Sequence, residues 1–465
     1  MDNDVLAALQ ALVNESSILI GEDISKHYTD PWSKGLTNKP LCVLRPTSTI
    51  EVSNIIKICN DRKCGVVPQG GMTGLVGGGI PKTDEVVLSL ERMNVIEHVD
   101  RFGKTMTAQA GVVLETANTS AEMQGLTMPV DLGARGSATL GGLISTNAGG
   151  NRVIRNGMMR QSVLGIEAVL ADGTVLESMN TMLKNNAGYD TKQMFIGSEG
   201  TLGIITRCVV RLQPKPQSIS TAFVGAESFD QVLDFLVFLD DELSGGLGAF
   251  EVMWPNYYQF VKSTCPKLKL PLSDKHQFYI LFESLSSNSG LQSNYFETLL
   301  ENAVTQGLID DGVIAQSLSD RNDFWAIRDG VSEGFRTLSP MFTYDVSMPL
   351  KTMNYFANQL EKEMTSFSSR AVALVFGHLG DGNLHVVVST GDGSDLEHNK
   401  INDIIYGIVS RLNGSVSAEH GIGTEKLDYL SWSKTAEELE VMKSLKRSFD
   451  PNLILNPGKV LCLDT

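Results

Sequence analysis

An α+β chain of more than one domain is what the sequence predicts, and three observations carry that prediction. Residues 1–215 alternate short β-type runs with glycine-rich turns. Residues 216–425 switch to longer amphipathic stretches separated by strands, and residues 426–465 hold one clear helix. The length of 465 residues suits two or three domains, since domains run to roughly 100–200 residues each.

Within the first segment, Val86–Leu90, Thr105–Gln109 and Ile166–Leu170 read as strands, and Ser48–Asn60 as a helix with Ile55, Ile56 and Cys59 on one side. Leu202–Thr206 is the closing strand, and Pro214 and Pro216 after it mark a boundary. In the second segment, Phe229–Glu242, Ser293–Gln306 and Lys351–Thr365 read as helices, and Phe278–Phe282, Ala371–Phe376 and Val386–Ser389 as strands. This pattern predicts an antiparallel sheet with helices on one face. Thr435–Ser448 is helical and ends at Phe449-Asp450-Pro451, because the residue before a proline is pushed out of the α region.

Composition excludes several classes of function. Hydrophobic residues make up 42% and charged residues 20%, an ordinary balance for a globular core. The net charge of 38 − 54 = −16 argues against a nucleic-acid partner, which needs a basic face. No apolar run is long enough to cross a bilayer. The six cysteines contain no Cys-x-x-Cys pair, so zinc-ribbon and iron–sulfur sites are unsupported and the thiols are expected to be reduced. The first thirty residues carry Asp2, Asp4, Glu15, Glu22 and Asp23, which leads to the expectation of a cytoplasmic chain, because leader peptides are acid-poor.

Residues 68–79, Pro-Gln-Gly-Gly-Met-Thr-Gly-Leu-Val-Gly-Gly-Gly, hold six glycines in twelve positions. Such density lets successive backbone N–H groups turn toward one anion. Neither Gly-x-Gly-x-x-Gly nor the P-loop pattern occurs, so a Rossmann or P-loop site is not supported. Three further loops share the small, hydroxyl-rich character: Pro129-Val130-Asp131 with Ser137–Gly142, then Ser145–Gly150, then Gly197–Gly203. Together they suggest a long, extended ligand gripped largely by backbone.

The segment Phe376-Gly377-His378-Leu379-Gly380-Asp381-Gly382-Asn383-Leu384-His385-Val386 places Asp-Gly between β-type runs, the signal for a two-residue hairpin turn. That turn would put His378 directly opposite His385 on one face, with Cβ atoms about 5 Å apart. Two imidazoles so placed can share one ion at about 2.1 Å from each nitrogen. In Ser417-Ala418-Glu419-His420-Gly421-Ile422-Gly423, neighbouring strand residues point to opposite faces. One of Glu419 and His420 could join the ion, or a bend at Gly421 could turn both inward. Two histidines and one carboxylate make a catalytic rather than structural ligand set; two structural histidines and an exposed acid remain the plainer alternative.

The order of these motifs, continued through Ser417–Gly423 and Asn456-Pro457-Gly458-Lys459, resembles the vanillyl-alcohol-oxidase flavoprotein superfamily over nearly the whole chain. Within it, the sequence is most similar to the D-2-hydroxyglutarate, D-lactate and glycolate dehydrogenases. The resemblance implies a two-subdomain FAD-binding domain over 1–215, an antiparallel-sheet α+β substrate and metal domain over 216–425, and a segment 426–465 that returns to the FAD domain. It implies FAD with Pro68, Gly70, Gly71, Thr73, Gly74 and Leu75 at the pyrophosphate and Ser137, Gly141, Gly142, Thr146, Asn147, Gly149 and Gly150 along the flavin. Asp131, Gly157, Glu199, Gly200, Gly203, Ile204, Ile205 and Asn456 complete the implied cofactor contacts. The loop has Gln69 and Met72 and no histidine, so the FAD is expected to be non-covalent.

The same resemblance implies a Zn²⁺ or similar ion, with Mn²⁺ or Co²⁺ as substitutes, on His378, His385 and Glu419. His420 would be the base and Arg328 the substrate-carboxylate arginine. Ser332, Thr343 and Val387 are the remaining implied substrate positions. Hydroxyglutarate dehydrogenases carry a lysine where Thr343 stands and an asparagine where Val387 stands, which puts a distal substrate carboxylate in doubt. The implied activity oxidises a small 2-hydroxy acid and passes electrons to a flavoprotein, quinone or cytochrome. An O₂-using oxidase and a flavin-binding subunit of a glycolate-oxidase-like complex are the alternatives, and a homodimer is among the assemblies allowed.

Overall fold

The computed structural model describes residues 2–32, 35–36, 38–287, 292–330 and 334–463. They fall into two units: Met1–Gly150, Asn156–Lys215 and Glu419–Thr465 form the first, and Asn151–Arg155 with Pro216–Ala418 the second.

The first unit contains two main sheets. Strands β1 (Ile18–Leu19), β2 (Cys42–Leu44), β3 (Val66–Gln69) and β4 (Val86–Ser89) lie in the order β1-β2-β4-β3, with β2, β3 and β4 parallel. The helix Thr49–Asp61 links β2 to β3, and the Ser48 side chain caps it by accepting the Glu51 N–H. Its Val52, Ile55, Ile56 and Cys59 are buried against Val66, Val86 and Leu88. The second sheet is antiparallel and five-stranded, in the order β5-β6-β10-β8-β9. Its strands are β5 (Ile96–Asp100), β6 (Thr105–Gln109), β8 (Val163–Val169), β9 (Val175–Ser178) and β10 (Ile204–Arg211); β7 (Leu126–Thr127) pairs separately with β11 (Gln213–Pro214).

Residues 419–465 belong to this first unit. The helix Ala436–Phe449 opens with a capping box between Thr435 and Glu438. At its end the buried Lys446 ammonium donates to the Thr201 and Leu455 carbonyls at 2.8 and 2.7 Å and pairs with Asp450 at 2.6 Å. Beyond it, Val66 donates to the Ile454 carbonyl (2.7 Å) and Asn456 to the Val66 carbonyl (2.8 Å), which extends the edge at β3.

The second unit is built on one seven-stranded sheet. Its strands are β12 (Ser218–Ala226), β13 (Leu247–Met253), β14 (Phe278–Ser286), β15 (Asp311–Ile314), β16 (Phe342–Ser347), β17 (Val372–His378) and β18 (Asn383–Ser389), in the order β15-β12-β14-β13-β17-β18-β16. Every neighbouring pair is antiparallel. The expected one-sided cover is corrected. Helices Pro255–Thr264 and Leu318–Asp329 cover the face of Phe223, Leu281 and Phe376. Phe235 and Phe296, from helices Phe229–Leu243 and Gln292–Thr305, pack on Phe282 of the other face. The reason is visible in β14, buried at eight consecutive positions from Phe278 to Leu285: a strand buried on both faces cannot alternate polar and apolar residues.

All six cysteines are free, five of them buried. Burial pushes the Cys42 and Cys208 thiols up to about 12, which fits packing rather than chemistry. No described helix is long and apolar enough to cross a membrane.

Candidate active site

The glycine loop of the first unit follows β3 and lines a cavity of about 680 Å³. Gln69 holds the loop shut, since its Nε2 donates to the Gly79 carbonyl at 2.7 Å and to the Tyr28 carbonyl at 2.8 Å. A side chain at Gly71 would run into the Ser137 carbonyl, so the loop can approach the 137–142 segment only as glycine. Pro68, Gly70, Gly71, Thr73, Gly74, Leu75, Gly141, Gly142, Thr146 and Gly149 all lie in the cavity wall, as do Glu199, Gly200, Gly203, Ile204, Ile205 and Asn456.

Five expected positions do not form that wall. Asp131 pairs with Arg135 at 3.0 Å, Gly150 packs on the Asp131 backbone, and Asn147 Oδ1 accepts the Arg160 N–H at 2.9 Å. Ser137 lies behind Gly71, and Gly157 packs on the Gln161 side chain. Two wall residues are already engaged. The Glu199 oxygens accept the Ile422 and Gly423 N–H groups at 2.7 and 2.9 Å; burial pushes its carboxyl up, partly offset by those bonds. Asn456 Nδ2 donates to the Glu199 and Gly78 carbonyls. These contacts fix the 419–423 turn, so Glu419 and His420 stand in the same wall. Thr139, inside the Ser137–Gly142 segment, is buried there with no hydrogen-bond partner on Oγ1, an orphan that a ligand would satisfy. Cavity size, backbone-rich lining and this orphan fit a dinucleotide such as FAD.

In the second unit the histidine hairpin is longer than the sequence suggests. A short 3₁₀ turn over Leu379–Asp381 joins the strands, with Gly382 at φ +88° closing it. His385 therefore faces Phe376, not His378, and His378 faces Glu251. The slip is two residues, and side chains alternate with period two, so both histidines keep the same face. Their ring centroids are 5.0 Å apart, edge to face, and a ligand nitrogen of one lies within 4.8 Å of one on the other.

Around them are groups that the sequence reading missed. Glu251, on β13, is 1% exposed; its Oε1 lies 2.6 Å from His378 Nδ1 and its Oε2 accepts Arg328 Nε at 2.9 Å. Arg328 Nη2 reaches His378 Nε2 at 3.1 Å, and the guanidinium sits over the Phe376 ring. Burial alone would raise the Glu251 carboxyl, but His378 and Arg328 hold it at about 2. On β16, Asp345 pairs with His385 by register; it accepts Asn383 Nδ2 at 2.8 Å and the Ala418 N–H at 3.1 Å, immediately before Glu419 in the chain. A second buried carboxylate, Glu283, accepts from Arg321, Arg152, Trp325 and Thr221. The signal was present in the sequence: each acid is a lone charge in a strand otherwise apolar or small, and a buried charge requires a partner. Thr343 is exposed, Val387 is 2% exposed within the apolar cluster, and Ser332 lies outside the described residues.

Comparison with known proteins gives the family. The model for FAD linked oxidases, C-terminal domain, matches residues 215–460, and that for an FAD binding domain matches 40–178. The mitochondrial D-2-hydroxyglutarate dehydrogenase of Arabidopsis thaliana is 36% identical over 461 residues, covering 99% of this chain and 82% of that one. A Schizosaccharomyces pombe protein, named as a candidate mitochondrial D-lactate dehydrogenase, is 38% identical over 476 residues, covering 98% of this chain and 90% of its own. In fold, p-cresol methylhydroxylase aligns with a TM-score of 0.76 at 16% identity, over 98% of this chain and 96% of that one. The relatives' mitochondrial names overturn the cytoplasmic expectation; the acidic opening of the chain carries no information about its compartment. The chain thus belongs to the FAD-linked oxidase family, as an FAD-dependent dehydrogenase related along nearly its full length to the D-2-hydroxyglutarate dehydrogenases.

Proposed function

We propose that the protein oxidises a D-2-hydroxy acid to the 2-oxo acid, with the electrons passed on to a separate acceptor such as a flavoprotein, quinone or cytochrome. The observation that carries this reading is the cluster of His378, His385 and Arg328 on one sheet face, braced by the buried Glu251.

FAD, when bound, supplies the hydride acceptor. Its contacts are assigned to the loop 70–74, the 139–149 segment and Gly200–Ile205. A divalent ion, Zn²⁺ first and Mn²⁺ or Co²⁺ as substitutes, supplies Lewis acidity toward the substrate oxygens. His378, His385 and Glu419 are the residues assigned to hold it. The donor set fits: a ligand nitrogen of each imidazole lies within 4.8 Å of one on the other, close enough to share one ion. Arg328 binds the substrate carboxylate through its planar fork. His420 Nδ1 or Nε2 takes the hydroxyl proton, a task suited to imidazole near neutral pH. Phe376 and Val387 belong to the buried apolar cluster on the same sheet face.

Thr343 and Val387 favour a substrate without a distal carboxylate, of which D-lactate is the type. Hydroxyglutarate is the second reading, favoured by the relatives' names. Anaerobic bleaching of the flavin by a panel of D- and L-2-hydroxy acids tests both. Bleaching by no D-2-hydroxy acid refutes the proposal. Reoxidation in air faster than turnover with an artificial acceptor would make the protein an oxidase instead.

A further inference from the structure

We propose that Glu251 is a positioning residue that serves the metal and the substrate carboxylate together, by turning the Nε2 lone pair of His378 outward and by tethering Arg328 through its Nε. The proposal rests on the reading of His378 as a metal ligand.

A guanidinium can only donate hydrogen bonds. Arg328 Nη2 at 3.1 Å from His378 Nε2 therefore puts the ring's lone pair on Nε2 and its proton on Nδ1. That proton points at Glu251 Oε1, 2.6 Å away. The pairing of Glu251 with His378 across β13 and β17 sets this contact in the backbone, and at 1% exposure no water competes for the carboxylate. A carboxylate behind a ligating imidazole fixes its tautomer and raises its basicity. The second oxygen, Oε2, holds Arg328 Nε at 2.9 Å. An ion at Nε2 and Arg328 Nη2 would claim the same lone pair, so a bound ion would release Nη2, while Nε stays on Glu251 and Nη1 on Asp329 at 3.2 Å. The released Nη2 is the donor offered to a substrate carboxylate. One buried acid thus sets both anchors of a chelated 2-hydroxy acid.

The test uses FAD-loaded protein carrying His276→Ala, which removes a separate grouping of Glu227, His276 and Asp310 that could also take up metal. Zn²⁺ affinity is measured by competition with a chromophoric chelator. Glu251→Gln should weaken Zn²⁺ by about 10–100-fold, the usual effect of losing an outer-shell partner. Its flavin content should be unchanged, and at saturating Zn²⁺ its KM should rise more than its kcat falls. Glu251→Asp should restore part of the affinity. Zn²⁺ affinity in Glu251→Gln equal to that of the parent overturns the proposal. A parent that binds no Zn²⁺ refutes the metal reading itself, a distinguishable outcome. Should the variants fail to fold, ¹⁵N-histidine spectra of the metal-free parent decide: a proton on Nδ1 of His378 is expected, and a proton on Nε2 alone overturns the proposal.

Discussion

The two units build their sites from different materials. The cofactor cavity is walled largely by glycines and short loops, and three of its polar side chains, Gln69, Glu199 and Asn456, are spent on holding backbone in place. The histidine face of the second unit is walled by buried charge: Glu251 with Arg328 and His378, and Glu283 with Arg152 and Arg321. A backbone-built site offers dipoles that need no counter-charge and no proton, and it fails when a side chain is added. A charge-built site fails when a partner is removed, because the survivor is left unpaired in a low dielectric.

The sharpest way to break this contrast is to add one methyl group. Gly71→Ala puts a Cβ against the Ser137 carbonyl and should abolish flavin binding, read as loss of the visible flavin band in purified protein. Normal flavin content in that variant would show that the loop can move. In wild type, acid should release intact FAD, and flavin left on the precipitated chain would show a covalent link. On the charge-built side, a chelator should abolish turnover while the flavin stays bound, with Zn²⁺, Mn²⁺ or Co²⁺ restoring activity. His385→Ala should behave as the chelated enzyme does, and full activity of metal-free protein would end the metal reading.

His420→Ala should slow anaerobic flavin reduction by about 10²–10⁴-fold, the usual worth of a general base, at unchanged metal content. Loss of the metal in that variant would make His420 a ligand instead. Glu283→Ala should destabilise the fold by about 3–5 kcal/mol in denaturant unfolding, because it strands two arginines. Burial opposes ionisation of Glu283, yet Arg321, Arg152 and Trp325 hold its carboxyl at about 2. A carboxyl depressed on folding stabilises above its unfolded value, near 4.5, and that stability is lost as pH falls through the folded value. The acid unfolding of wild type between those limits should therefore soften in Glu283→Gln. The smallest effect expected is on preference: Thr343→Lys with Val387→Asn should shift kcat/KM toward D-2-hydroxyglutarate over D-lactate by about ten- to a hundredfold, the worth of one charge-assisted hydrogen bond. A wild type that already prefers hydroxyglutarate by more than about tenfold would mean that another group supplies the contact.

The contrast also explains what could be read from the sequence. Glycine density is local and visible, so the loop at 68–79 and its neighbours were legible one segment at a time, together with strands such as Thr105–Gln109 and the helix capped by Ser48. The histidine pair was legible in parity but not in register. Asp381-Gly382 resembles a two-residue turn, whereas the 3₁₀ turn at Leu379–Asp381 adds a two-residue slip that leaves the face unchanged. Glu251 escaped because its partner is 127 residues away in sequence, and only strand order brings them together. The two-sided burial of β14 escaped for a similar reason: an unbroken apolar run does not say what covers each side.

The sheet edge at β3 is completed by residues 454–456, and Asn456 meets Gly78 from 378 positions away in the chain. On the ribosome this imposes an order of events. At about 5–20 residues per second, the wait between the two partners is on the order of 20–80 s. Pro216–Ala418, made in the interval, carries its own complete sheet and can close during it. The nascent cofactor cavity meanwhile stays unsealed until Glu419, His420 and Asn456 emerge. Chains cut before Ile454 should accordingly accumulate as colourless, protease-sensitive species in which only the later-made unit is folded.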